Sequence, residues 1–101
     1  VGRDQRGPMD DQAVRNKLVF TMLRNRLVGS HKKQVTTVVG WAVATDKRGR
    51  AERLLEEMAT DPECPVEAYG GGHRSNVRLT SLDAAVDYLQ RNDGDVPFGF
   101  D

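Results

Sequence analysis

The sequence predicts one α+β domain, built from three helices, a two-stranded hairpin and a fourth helix. Three observations lead there. Ala51, Leu54, Leu55 and Met58 repeat at the i, i+3, i+4, i+7 spacing of an amphipathic helix. Two short alternating segments, Val66-Glu67-Ala68-Tyr69 and Val77-Arg78-Leu79, flank the glycine run Gly70-Gly71-Gly72, as in a hairpin with a long tip. The 101 residues supply one core and leave no room for a second domain. Residues 1–9 are expected to form a disordered arm, 10–92 the folded domain and 93–101 a tail.

The elements follow in order. Asp10 or Asp11 caps a first helix running to about Val28, with Gly29 placed as its stop. Leu18, Val19, Phe20, Met22, Leu23 and Leu27 cover much more than one narrow stripe of it. So wide an apolar arc suits a central helix, or one that also meets a partner chain. Ser30 is a good N-cap for a second helix. Val35, Val38, Val39 and Ala42 form its apolar side, although Val-Thr-Thr-Val-Val is also comfortable as a strand. Trp41 falls off that stripe, to cover the helix end or to meet a partner. Asp46 caps a third helix over Lys47–Ala59, which Asp61-Pro62 ends because proline disfavours helix in the residue before it. After the hairpin, Ser81 caps a last helix through Asn92, with Leu82, Ala85, Val86 and Leu89 inward. A very short strand is allowed ahead of the second helix, near Val28.

Composition narrows the function classes. No run of 18 apolar residues exists to span a membrane. Cys64 is the lone cysteine, so no disulfide closes within the chain, and a reducing, cytoplasmic setting is expected. The net charge is zero, 15 basic against 15 acidic residues, but the two signs are segregated. From Arg15 to Arg53 there are ten Lys or Arg and two acids, whereas from Leu54 onward there are three Arg and ten acids. Such asymmetry builds a field that the net value hides.

The basic half has a focus. Lys47, Arg48, Arg50 and Arg53 all lie in the first half of the third helix. Cations there oppose the helix macrodipole and cost roughly 0.3–1 kcal/mol each when exposed, so a helix shaped for stability alone would carry acids instead. A basic helix start that follows another helix and a short turn is what entry into the major groove requires. Arginine also matches the two acceptors on the guanine edge. The plain alternative is i, i+4 pairing with Glu52, Glu56 and Glu57, and Arg53 with Glu57 fits that spacing. A second focus is the hairpin tip, where the glycines permit close approach and His73 and Arg74 add positive charge for phosphates or the minor groove; the alternative is a flexible turn. A third is Ser30-His31-Lys32-Lys33-Gln34, where lysines at a helix N-terminus would bind phosphate; an ordinary solvated first turn explains it as well.

Residues from about Asp11 to Asn92 resemble a winged helix-turn-helix domain. The most telling stretch is Arg50-Ala51-Glu52-Arg53-Leu54-Leu55-Glu56-Glu57-Met58, followed by Val66–Tyr69, the glycine run and Val77-Arg78-Leu79-Thr80. The resemblance implies a recognition helix at 47–59 and a wing at 70–76, as in many small prokaryotic transcription regulators. It departs from the pattern in a long link, Thr60–Pro65, before the strand. The expected partner is double-stranded DNA, bound by a homodimer through Lys32, Lys33, Gln34, Lys47, Arg48, Arg50, Arg53, His73 and Arg74.

Catalytic chemistry is not expected. His31, His73 and Cys64 lack the spacing of a zinc site, the glycine run matches neither GxGxxG nor a P-loop, and no carboxylate pair bears marks of tuning. No cofactor, metal or small-molecule ligand is therefore expected. Two rival readings remain: a winged-helix module that contacts proteins, using the acidic half and the Phe98/Phe100 tail, and a metal- or redox-responsive regulator using Cys64 and a histidine. Basic residues locked in ion pairs would favour the first rival.

Overall fold

A computed structural model describes residues 10–69 and 76–100. The expected arm and the glycine tip, with His73 and Arg74, lie outside the described residues. Within them the chain is α+β, with four helices and a small three-stranded antiparallel sheet. The elements are α1 (Asp11–Arg24), β1 (Lys33–Gln34), α2 (Val35–Ala42), α3 (Arg48–Ala59), β2 (Val66–Tyr69), β3 (Asn76–Leu79) and α4 (Leu82–Arg91). The expected two-stranded hairpin needs correction: a third strand, β1, lies between α1 and α2 and pairs with β3.

The Asp10 carboxylate starts α1 by accepting from the Ala13 N–H at 2.8 Å. The helix stops at Arg24, short of the expected Val28, because Arg26 takes a left-handed φ of 53°. Its N–H and that of Leu27 then donate back to Leu23 and Met22, which closes the helix. Gly29, the expected stop, has a φ of 62° in the next turn. Leu27 returns to the core, and its carbonyl accepts from the Leu79 N–H. The short strand allowed near Val28 is a single bridge from Val28 to Leu79.

Ser30 does not cap α2. Lys33 and Gln34 pair instead with Val77 and Asn76 of β3, so the backbone stays extended until Val35. From there Val35, Val38, Val39 and Ala42 are buried on the expected side, and Trp41 is 49% exposed. A single 3-10 turn, Thr45–Lys47, leads into α3, and no side chain caps that helix; the expected Asp46 cap is not made. The long link after α3 is folded rather than loose. Asp61 accepts from the Glu63 and Cys64 N–H groups, and Pro65 is buried with its carbonyl bound to Thr80.

The sheet order is β1-β3-β2, with Ala68 opposite Val77 and Val66 opposite Leu79. Ser81 caps α4 through the Ala84 N–H, as expected. The centre of the core is α1, which packs against α2, α3, α4 and β3. That explains its wide apolar arc, since Val14, Leu18, Val19, Met22 and Leu23 are all fully buried within one chain. Behind α4 the chain turns at Gly94, where a Cβ would lie 2.9 Å from a Leu89 methyl and 3.0 Å from the Asn16 amide carbon. No helix among the described residues is long and apolar enough to cross a membrane.

Candidate nucleic-acid interface

Helix α3 buries one narrow stripe, Ala51, Leu54, Leu55 and Met58. At 100° per residue, Gly49, Arg53 and Glu56 point away from it, with Arg48 and Glu52 on one flank and Arg50 and Glu57 on the other. Exposure agrees: Arg48, Gly49, Arg53, Glu56 and Glu57 are exposed, and Glu52 and Arg50 are half-buried.

The four cations at the start of α3 do not behave alike. The Arg50 Nε donates to Asp11 Oδ1 at 2.8 Å, so its head turns from the outward face toward the first turn of α1. Asp11 is well placed for this, because a carboxylate at a helix N-terminus is favoured by the macrodipole. Arg53 lies 3.9 Å from Glu57, with both side chains well exposed, a pair of little energetic weight. Lys47 lies 3.8 Å from Asp46, whose side chain is 77% exposed. Arg48 extends toward α2; a Cβ built on Gly40 would sit 4.0 Å from its guanidinium. The outward face therefore carries Arg53 beside Glu56, with the exposed Arg48 on the flank toward α2, while Arg50 mainly joins α3 to α1.

Lys32, Lys33 and Gln34 are not in a helical first turn. They precede or form β1, and Lys32 and Lys33 border a different feature, a cleft of about 340 Å³ between the end of α1 and α2. His31, Lys32, Lys33 and Trp41 line it together with Asn25 and Ser30. Among the described residues its lining is basic, polar and apolar, with no carboxylate. Trp41 reaches it because a helical side chain leans toward the N-terminus, back along the row that includes Thr37.

The sheet brings this region to the hairpin. Gln34 pairs with Asn76, and Asn76 pairs with Tyr69, so one row across the sheet joins the start of α2 to the root of the 70–75 connection. No spacing in the sequence predicts that row, because it depends on β1 joining β3. Another organising residue is Arg78. Its Nε donates to Glu67 Oε2 at 2.6 Å and its Nη1 to the Gly29 carbonyl at 2.8 Å, which ties both hairpin strands to the turn before β1. The alternation of Val77-Arg78-Leu79 marks a strand and carries no sign of these partners.

Cys64 has a half-buried thiol. Burial raises its pKa first, and the Asp61 carboxylate, 3.8 Å away, raises it further. The thiolate that would act as nucleophile or metal ligand is thus disfavoured. Burial likewise raises the pKa of the Tyr88 hydroxyl, which accepts a hydrogen bond from the Gln12 amide. Among the described residues, no group of three His, Cys, Asp or Glu is placed to hold a metal ion. Comparison with protein-family models, with curated proteins and with solved structures finds no match for this chain.

Proposed function

We propose that this chain is a winged helix-turn-helix domain that binds duplex DNA and serves as a transcription regulator. In this reading α3 enters the major groove and residues 70–76 serve as the wing, on the backbone or in the minor groove. The order α1-β1-α2-α3-β2-β3 and the tight turn between α2 and α3 suit that arrangement. The observation that carries the reading is the start of α3: exposed Arg48 and Arg53 on a helix that has no acidic residue in its first turn and no side-chain cap. A helix end left in this state loses stability and gains reach toward phosphates and base edges. Lys33 and Gln34 lie beside the hairpin root, where the wing of this reading begins.

A protein-binding role is the second reading, favoured by the Arg50–Asp11 pair and by Glu52 and Glu56 near the outward face. Titration of a duplex DNA pool over a series of salt concentrations separates the two. The wild-type chain should show a steep loss of affinity with salt. The double variant Arg48→Ala/Arg53→Ala should bind more weakly, with a log–log salt slope lower by roughly 0.9 for each phosphate that is no longer neutralised. Equal affinity and equal slope for the two proteins would remove α3 from the interface, and a wild type without salt-dependent duplex binding would leave the protein-binding role.

A further inference from the structure

The inner arc of α1 is consumed by its own chain, but its outer side is not plain solvent-facing helix. Ala13, Lys17, Phe20 and Arg24 form one row there, and the tail after α4 runs beside it. Two clefts of about 370 Å³ each lie between helix and tail. One is bordered by Lys17, Phe20, Asp93 and Asp95, the other by Phe20, Arg24, Arg26 and Phe98. Phe20 belongs to both, so the two make one trough.

Three features of this trough point to the same occupant. First, the tail is held in place. Pro97 is buried, its carbonyl accepts from the Phe100 N–H at 3.1 Å, and the Arg26 guanidinium sits 4.5 Å from the centre of the Phe100 ring. Second, this anchoring holds the neighbouring Phe98 fully in water, at 103% exposure, beside the partly buried ring of Phe20. An exposed aromatic beside the Phe20 ring, at the centre of the trough, offers an anchor to a partner. Third, the ends of the trough differ in charge. Arg24 and Arg26 mark one end; Asp93 and Asp95 outweigh Lys17 at the other. Lys17 and Arg24 are about 10 Å apart along the helix axis. A surface with an apolar centre and ends of opposite sign is complementary to itself when turned through a two-fold rotation.

We propose that this trough is the interface of a homodimer, formed by a second copy of the chain lying antiparallel on it. Phe98 of each copy packs against Phe20 of the other, and Arg24 and Arg26 of each face Asp93 and Asp95 of the other. This surface replaces the inner arc of α1 as the dimer contact. It stands independently of DNA binding, although two copies would give the proposed regulator a pair of reading helices.

Sedimentation equilibrium of the full chain at tens of micromolar tests the proposal. The wild type should dimerise. Phe98→Ser, Arg24→Glu and Asp95→Lys should each weaken the dimer about tenfold or more, the scale of an interface anchor. All three positions are exposed, so melting temperatures should stay near that of the wild type. An equal mixture of the Arg24→Glu and Asp95→Lys proteins should recover part of the association, because one end of the mixed dimer keeps the wild-type charges and at the other end the two substitutions exchange opposite signs. A wild type that is wholly monomeric overturns the proposal. A dimer indifferent to all three variants, or a mixture that fails to recover, overturns this surface while leaving the DNA reading to its own salt-dependence test.

Discussion

Helices α1 and α3 both carry several cations, and they use them in opposite surroundings. Buried residues of α1 spread over more than half its circumference, and other elements of the same chain cover them. The buried residues of α3 keep to one stripe, leaving most of that helix to solvent. The cause is position. A helix packed against three helices and a strand must be apolar over a wide arc, whereas one packed on a single side has surface to spare. A wide apolar arc therefore marked the centre of the fold, and the narrow stripe marked the helix able to reach a partner. Arg50 lies where the two regimes meet, spending its charge on α1 rather than on the outward face.

The contrast can be broken by substitution, and the largest effect belongs to α1. Leu18 is fully buried at its middle, so Leu18→Ala should cost about 3–4 kcal/mol, within the usual ~2–5 range for such truncations. That is a large part of the ~5–15 kcal/mol expected of a whole domain. Urea unfolding measures it, and a loss below about 1 kcal/mol would mean that α1 is not the centre of the core.

A smaller loss should come with alkaline pH, near the start of α1. Folding raises the pKa of the Cys64 thiol and of the Tyr88 hydroxyl, chiefly by burial. Both groups are neutral when protonated. Their contribution is complete below the ordinary thiol and phenol ranges and disappears as pH climbs through the raised folded values. The urea midpoint should therefore fall as pH is taken through the alkaline range. Cys64→Ser should remove the first part of that fall and keep the part due to Tyr88. An identical alkaline profile in wild type and variant would show that the thiol is not linked to folding.

The smallest effects separate the arginines of α3. A double-mutant cycle on Arg50 and Asp11 should give a coupling of about 0.5–1 kcal/mol that salt weakens, since both groups remain partly exposed. The same cycle on Arg53 and Glu57 should give less, within about 0.5 kcal/mol of zero. A stronger coupling for the second pair would reverse the roles assigned to the two arginines.

Legibility in the sequence followed the range of the interactions involved. The limits of α3 and α4 lay close to expectation, because an apolar stripe and a capping serine act within a few residues. The end of α1 was misjudged. Glycine is the usual left-handed residue, yet here Arg26 takes that conformation so that Leu27 can return to the core. The start of α2 was misjudged for another reason. Ser30 is a sound local cap, but pairing of Lys33 and Gln34 with β3 prevails over it. The candidate site divided the same way. A basic cluster was readable at 47–53, but Asp11, which claims Arg50, is 39 residues away. The cleft that joins Trp41 to Lys32 and Lys33 also needs the loop and the helix folded together.

By itself, then, the sequence determined the helical stripes, the hairpin around its glycine tip and the concentration of cations in the first half of the chain. These depend on side-chain periodicity, on turn residues and on charge, all of which act over a few positions. Only the tertiary structure decided that β1 completes the sheet, that Arg50 belongs to α1 while Arg48 and Arg53 remain outward, and that the tail presents Phe98 beside the outer row of α1. Each of those outcomes rests on partners distant along the chain, and packing, not local propensity, brings them within reach.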